Sequence, residues 1–238
     1  MRLAGRIALA VALLAGLAAA GYVVYAGQTW LAFGRPKSEA PRPRAVVSMD
    51  RYLPSYDVWE RHETRVKAPV AATFAAAREM DIQRSPLVRA ILKSRKILFR
   101  SRGRELERRP FLDQVRGMGW GLLAEVPGRA MVFGAVTRPW EKTVRFHPLP
   151  PREFAAFRKP GWAKIVWTLE ADPTGRTRSV FRTQTRVATT DESARKRFRK
   201  YWATVSPGIL LIRQQVLGLV RGEAERRERA RREAAAVR

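Results

Sequence analysis

The chain has 238 residues, 46% of them hydrophobic, which is enough apolar material for one core of ordinary domain size and excludes a chain disordered throughout. It has no cysteine and two histidines, His62 and His147. That excludes a disulfide framework, a thiolate-held metal and a cysteine nucleophile, and it argues against a histidine zinc centre. Lys and Arg outnumber Asp and Glu by 47 to 21, a formal charge of +26 that favours a polyanionic neighbour, either nucleic acid or an anionic membrane surface.

After Arg2 and Arg6, the run from Ile7 to Gly34 is uncharged, and Ile7 to Tyr25 is almost purely aliphatic. A helix of about 20 such residues spans a bilayer core. Tyr22, Tyr25 and Trp30 cluster at its far end, where aromatic rings suit the headgroup level, and Arg35 and Lys37 follow. Residues 1–34 therefore read as a single membrane anchor. The competing reading is a cleaved signal peptide ending at Ala18-Ala19-Ala20, which the uncharged run overshoots. Arg2 and Arg6 on one flank nearly balance Arg35, Lys37, Arg42 and Arg44 on the other, with a slight lean to an exported domain. Pro36, Pro41 and Pro43 among charged residues make 35–56 a stiff basic linker.

In the folded part, 57–227, the alternation of Val58, Glu60, His62, Thr64 and Val66 against Trp59, Arg61, Glu63 and Arg65 predicts a strand. Pro69 and Pro86 are start signals for two short helices, the first carried by Val70, Phe74 and Ala77, the second by Leu87, Ala90 and Ile91. Lys93 to Arg116 has poor periodicity and reads as a basic loop. An antiparallel meander follows: Gly119–Val126, a Pro127-Gly128 turn, Ala130–Thr137, Glu141–Phe146, Glu153–Phe157, Trp162–Ala171 and Arg178–Thr189. On Trp162–Ala171 the face of Ala163, Ile165, Trp167 and Leu169 is expected to be the buried one. On the last strand Phe181, Thr183, Thr185 and Val187 share a face, and Arg182, Gln184 and Arg186 opposite are expected to meet water. Thr189-Thr190-Asp191-Glu192 has the spacing of a capping box. A long helix with an apolar stripe from Phe198 through Trp202, Val205, Ile209 and Ile212 to Leu219 follows, with Pro207-Gly208 expected to kink or split it. Residues 228–238 read as a charged tail.

This order of elements resembles the SRPBCC superfamily, the START-like or helix-grip proteins that include polyketide cyclases and lipid-transfer domains. Val66-Lys67-Ala68-Pro69-Val70 resembles its strand-to-helix transition, and Glu125-Val126-Pro127-Gly128-Arg129 with Val132-Phe133-Gly134 resembles its central hairpin. Phe157-x-x-Pro160-Gly161, Thr183-Gln184-Thr185-Arg186-Val187 and Arg197-Phe198-x-x-Tyr201-Trp202, with Ile212-Arg213, are similar to an uncharacterised bacterial branch. The resemblance implies an α+β helix-grip fold, a curved antiparallel sheet of about seven strands wrapped on the C-terminal helix, with an apolar space between them for a lipid or polyketide-like molecule. The residues expected to line that space are Trp120, Phe133, Ile165, Trp167, Phe181, Thr183, Thr185, Tyr201, Val205 and Ile209.

For chemistry, His62 beside Glu60 on one strand face offers a general base, while the same histidine serves equally as a satisfied structural residue. No nucleophile elbow, phosphate loop or metal motif is present, and no cofactor is expected. Lys93, Arg95, Lys96, Arg100, Arg102, Arg104, Arg108 and Arg109 form a surface for anionic headgroups, each contributing about 1 kcal/mol. The charge also meets the first criterion of nucleic-acid binding, but no helix-turn-helix, zinc finger or RNP motif accompanies it, so no specific nucleic-acid partner is expected. A membrane-tethered binder or shuttle of a hydrophobic ligand is the leading expectation, a cyclase-like or hydrolytic enzyme the alternative, and a nucleic-acid-binding basic protein the second alternative.

Overall fold

The computed structural model describes residues 2–34, 47–98 and 110–236. Its elements are α1 (Arg2–Ala32), β1 (Val58–Val66), α2 (Val70–Glu79), α3 (Pro86–Leu98), α4 (Phe111–Gly117), β2 (Gly121–Val126), β3 (Ala130–Thr137), β4 (Phe146–His147), α5 (Pro151–Ala156), β5 (Ala163–Gly175), β6 (Arg178–Thr189) and α6 (Glu192–Ala236). All strand pairs are antiparallel, in the order β1-β6-β5-β3-β2, with β4 also on β3. The architecture is α+β, with six strands rather than about seven.

Three expectations are corrected by local chemistry. Glu153–Phe157 is helix α5, because Pro151 fits the first turn, where no amide donor is needed. Glu141–Phe146 contracts to the two-residue strand Phe146–His147, paired with β3. The expected loop from Lys93 to Arg116 begins inside α3 and ends inside α4, whose Phe111, Leu112 and Val115 are buried in the main core. Arg100, Arg102, Arg104, Arg108 and Arg109 lie outside the described residues.

The C-terminal helix packs on β1, β6, α2 and α3. It runs unbroken through Pro207 to Ala236, so it is not split, and the segment 228–236 continues it. Its start is capped by Asp191, whose carboxylate accepts from the Ala194 amide at 2.9 Å, and not by a threonine hydroxyl. That amide, with Gly161 and others, holds the Asp191 carboxyl below its usual range. Farther along, Glu225 accepts from the Lys67 amide at 3.0 Å and Arg227 reaches Glu79 at 2.7 Å, tying the helix to the turn after β1 and to α2.

Both faces of the sheet are covered. On the α6 side Val66, Phe133, Leu169, Phe181, Val216, Leu217 and Val220 form the main core. On the opposite face Met49, Tyr52, Leu53, Leu123, Val132, Val136, Phe154 and Val166 form a second one. Residues 47–56, expected within the linker, thus fold onto the sheet, and the Tyr52 hydroxyl donates to the Leu123 carbonyl at 3.0 Å. A Cβ at Gly134 would run into Leu123 and Phe154, so glycine there permits the close approach of this layer. The face of β5 and β6 expected to meet water is therefore buried: Lys164, Glu170, Arg182, Gln184 and Arg186 are each no more than 6% exposed. Arg182 is held by Asp172 at 2.6 Å and Glu63 at 3.0 Å, and Arg186 by Asp50 at 2.5 Å and the Leu53 carbonyl at 3.1 Å. Glu170, 3.6 Å from Arg182, has its carboxyl pushed up, chiefly by burial.

The N-terminal helix is long and apolar enough to cross a membrane over Gly5–Ala32, with a mean hydropathy of 2.4. By length and composition α6 meets the same test, but it is the helix that packs on the sheet. The end of α1 docks on the start of α6. The Tyr22 hydroxyl donates to the Thr204 carbonyl at 2.6 Å, Arg199 donates to the Trp30 carbonyl at 2.7 Å and lies 4.3 Å from its ring centre, and Phe33 meets Phe198 at 5.9 Å.

Lys164 donates to the Ala155 carbonyl at 3.0 Å, and burial, with Arg158 adding repulsion, lowers its pKa to about 8 from 10.5. Between those values the unfolded chain binds more protons than the folded one, so this residue makes stability rise with pH from about 8 to 10.5. Comparing denaturant midpoints of wild type and Lys164→Met across that range should show the wild-type rise reduced in the variant. Parallel profiles would contradict the burial of the ammonium.

Candidate functional site

The register of β1 on β6 sets Glu60 opposite Thr185 and His62 opposite Thr183. Because side chains alternate along a strand, these four share the face that α6 covers. The contacts from the helix fall on them. Arg213 donates through Nη2 to the Thr185 hydroxyl at 2.7 Å, and the Gln214 amide lies 3.4 Å from His62 Nδ1. The His62 Nε2 stands 3.5 Å from the Glu60 carboxylate. Two nitrogens here lie out of solvent without a hydrogen-bond partner, Arg213 Nε and His62 Nε2. Burial lowers the Arg213 pKa to about 10, against the pull of Glu60.

This polar belt separates two apolar clusters on the α6 side of the sheet. On one side is the main core, to which Phe133, Phe181, Trp120 and Trp167 belong. Trp167 stacks on Phe133 at 4.6 Å and meets Trp120 edge-on at 5.7 Å, and Trp120 stacks on Phe146 at 4.5 Å. On the other side Val58, Val187, Phe198 and Trp202 are packed with Ile165, Tyr201 and Ile209. Val205 is half-buried on α6. The residues expected to line one space are thus divided by the belt, with Thr183 and Thr185 in it.

An open groove of about 470 Å³ lies elsewhere, between α2, α4 and the turn after β2, lined by Phe74, Arg78, Glu79, Leu112 and Arg116 among others. Of the expected membrane-surface residues, Lys93 is on α3 and exposed, and Arg95 and Lys96 are on the same helix. Among the described residues no group of three or more His, Asp or Glu is placed to hold a metal.

Arg213 was not among the expected site residues. Its signal is its place on α6, four residues after Ile209 and three before Val216, on the apolar stripe where a charge is out of pattern.

Replacing Thr185 by Val removes the one hydrogen-bond acceptor that Arg213 has among the described residues. A loss of about 1–3 kcal/mol in chemical denaturation is expected. No loss would show that the guanidinium reaches solvent instead.

No protein-family model matches the sequence, and no curated protein matches it. Among solved structures, a hypothetical protein of Helicobacter pylori is similar over 78% of this chain and 99% of its own, with a TM-score of 0.36 and 10% identity. An aromatase/cyclase from a Streptomyces species is similar over 73% of this chain and 96% of its own, with a TM-score of 0.26 and 15% identity. Likeness of this degree assigns neither a substrate nor a residue role.

Proposed function

We propose that the chain is a membrane-tethered, START-like domain that binds or shuttles a hydrophobic ligand, a lipid or polyketide-like molecule, at an anionic membrane surface. The observation that carries this reading is the polar belt of Glu60, His62, Thr185 and Arg213 enclosed between two apolar clusters beneath α6. A small number of polar groups set in an apolar surround orients an amphipathic ligand. The apolar α1 supplies the tether, docked on the same helix that covers the belt. The charge of +26 supplies attraction to anionic headgroups.

A second reading, a cyclase-like or hydrolytic enzyme on a hydrophobic substrate, is favoured by the 3.5 Å approach of His62 to Glu60, which suits a general base and its orienting carboxylate. The two readings separate at His62. With the full chain in lipid nanodiscs, His62→Ala should keep ligand occupancy near the wild-type level if the domain is a carrier. If it is an enzyme, the variant loses turnover of the bound molecule by about a hundredfold or more.

The membrane part of the proposal has its own check. Replacing Arg100, Arg102, Arg104, Arg108 and Arg109 by Gln should slow delivery of bound ligand to phosphatidylglycerol vesicles at low salt, and leave delivery to phosphatidylcholine vesicles unchanged. Equal rates to the anionic vesicles for wild type and variant would contradict surface docking by this segment.

A further inference from the structure

Arg182 and Arg186 on β6 and Arg213 against it differ in what neutralises them. Arg182 has Asp172 at 2.6 Å and Glu63 at 3.0 Å, and Arg186 has Asp50 at 2.5 Å. Arg213 makes no ion pair among the described residues; its contact is the neutral Thr185 hydroxyl at 2.7 Å. The carboxylate whose charge acts on it is Glu60, which lies 3.5 Å from His62 Nε2. Arg213 is half-buried with its Nε out of solvent, and withdrawing part of a guanidinium from water without a bonded anion is costly.

Two unsatisfied nitrogens lie in the polar belt. Arg213 Nε is a compulsory donor, out of solvent and without an acceptor. Thr185 accepts from Arg213, which leaves its own hydroxyl proton free to donate. His62 Nε2 lies in the same belt and makes no hydrogen bond. Donors held in a fork suit oxygens that carry charge, and such bonds are about twice as strong as neutral ones. Apolar side chains flank the belt, Val216 and Leu217 on one side and Ile209 and Trp202 on the other.

We infer that Arg213, with Thr185, receives an anionic oxygen head, a carboxylate or a phosphate, of a ligand whose apolar body lies against the side chains beneath α6. The inference rests on the hydrophobic-ligand reading above and adds the chemical class of the head. It makes Arg213 the specificity-determining residue, with Glu60 and His62 at the margin of the head and not its counter-charge.

The test is equilibrium binding of radiolabelled oleate, lysophosphatidate and methyl oleate to the full chain in phosphatidylcholine nanodiscs, with empty nanodiscs subtracted. Methyl oleate has the same chain as oleate and no charge. Wild type should bind at least one acid about tenfold or more tightly than the ester. A preference for oleate assigns a free carboxylate, and a preference for lysophosphatidate assigns a lipid phosphate. Arg213→Gln should bring the acids down to the level of the ester while leaving ester binding intact, which also shows that the variant is folded. Arg213→Lys should restore part of the preference. Equal binding of acids and ester to wild type, or an undiminished preference in Arg213→Gln, overturns the inference and leaves the hydrophobic-ligand reading standing. Binding of none of the three overturns both.

Discussion

Covering a sheet on both faces leaves its polar side chains nowhere to meet water, and that constraint organises this protein. Segment 47–56 and α5 close the face away from α6, so Arg182, Arg186 and Lys164 find their partners inside the fold. The partners come from distant parts of the chain: Glu63 from β1, Asp172 from β5, Asp50 and the Leu53 carbonyl from the segment before β1, and the Ala155 carbonyl from α5. Each such pair costs desolvation and repays it through geometry, so these contacts fix one arrangement of layers more than they add stability. Arg182 and Arg186 are compensated by carboxylates, whereas Lys164 has a carbonyl and Arg213, on the other face, one hydroxyl.

The elements whose periodicity is long and clean were legible in the sequence. Strand β1 follows the alternation from Val58 to Val66, β3 runs over Ala130–Thr137 and β6 over Arg178–Thr189 as expected, and the stripe from Phe198 to Leu219 lies on one long helix. Short elements were not, for identifiable reasons. In α4 the apolar positions Phe111, Leu112 and Val115 follow a run of arginines that dilutes the pattern, and α5 is a single helical turn and a half whose clearest signal is Pro151. The expected solvent face of β6 failed because alternation reports two faces and does not say that one of them is wet. Its arginines read as exposed until a covering layer with carboxylates is in place.

For the candidate site, the facing of Glu60, His62, Thr183 and Thr185 toward one side followed from period two alone. Their pairing across β1 and β6 needed the register, and Arg213 needed the rotation of α6 against the sheet. Neither is written in a local pattern. The same helix also connects the site to α1. Tyr22 of α1 reaches the Thr204 carbonyl, nine residues before Arg213, a separation of about 13 Å along an α-helix. Helix α1 and the polar belt thus both meet α6, at positions about two and a half helical turns apart.

The most direct measurement is of what the full chain carries when it is purified from its own host. Organic extraction and mass spectrometry of the purified protein should release, in stoichiometric amount, an amphiphile with an acidic head. A stoichiometric neutral lipid would contradict the role given to Arg213, and an extract no different from that of a mock purification would contradict the ligand-binding reading itself.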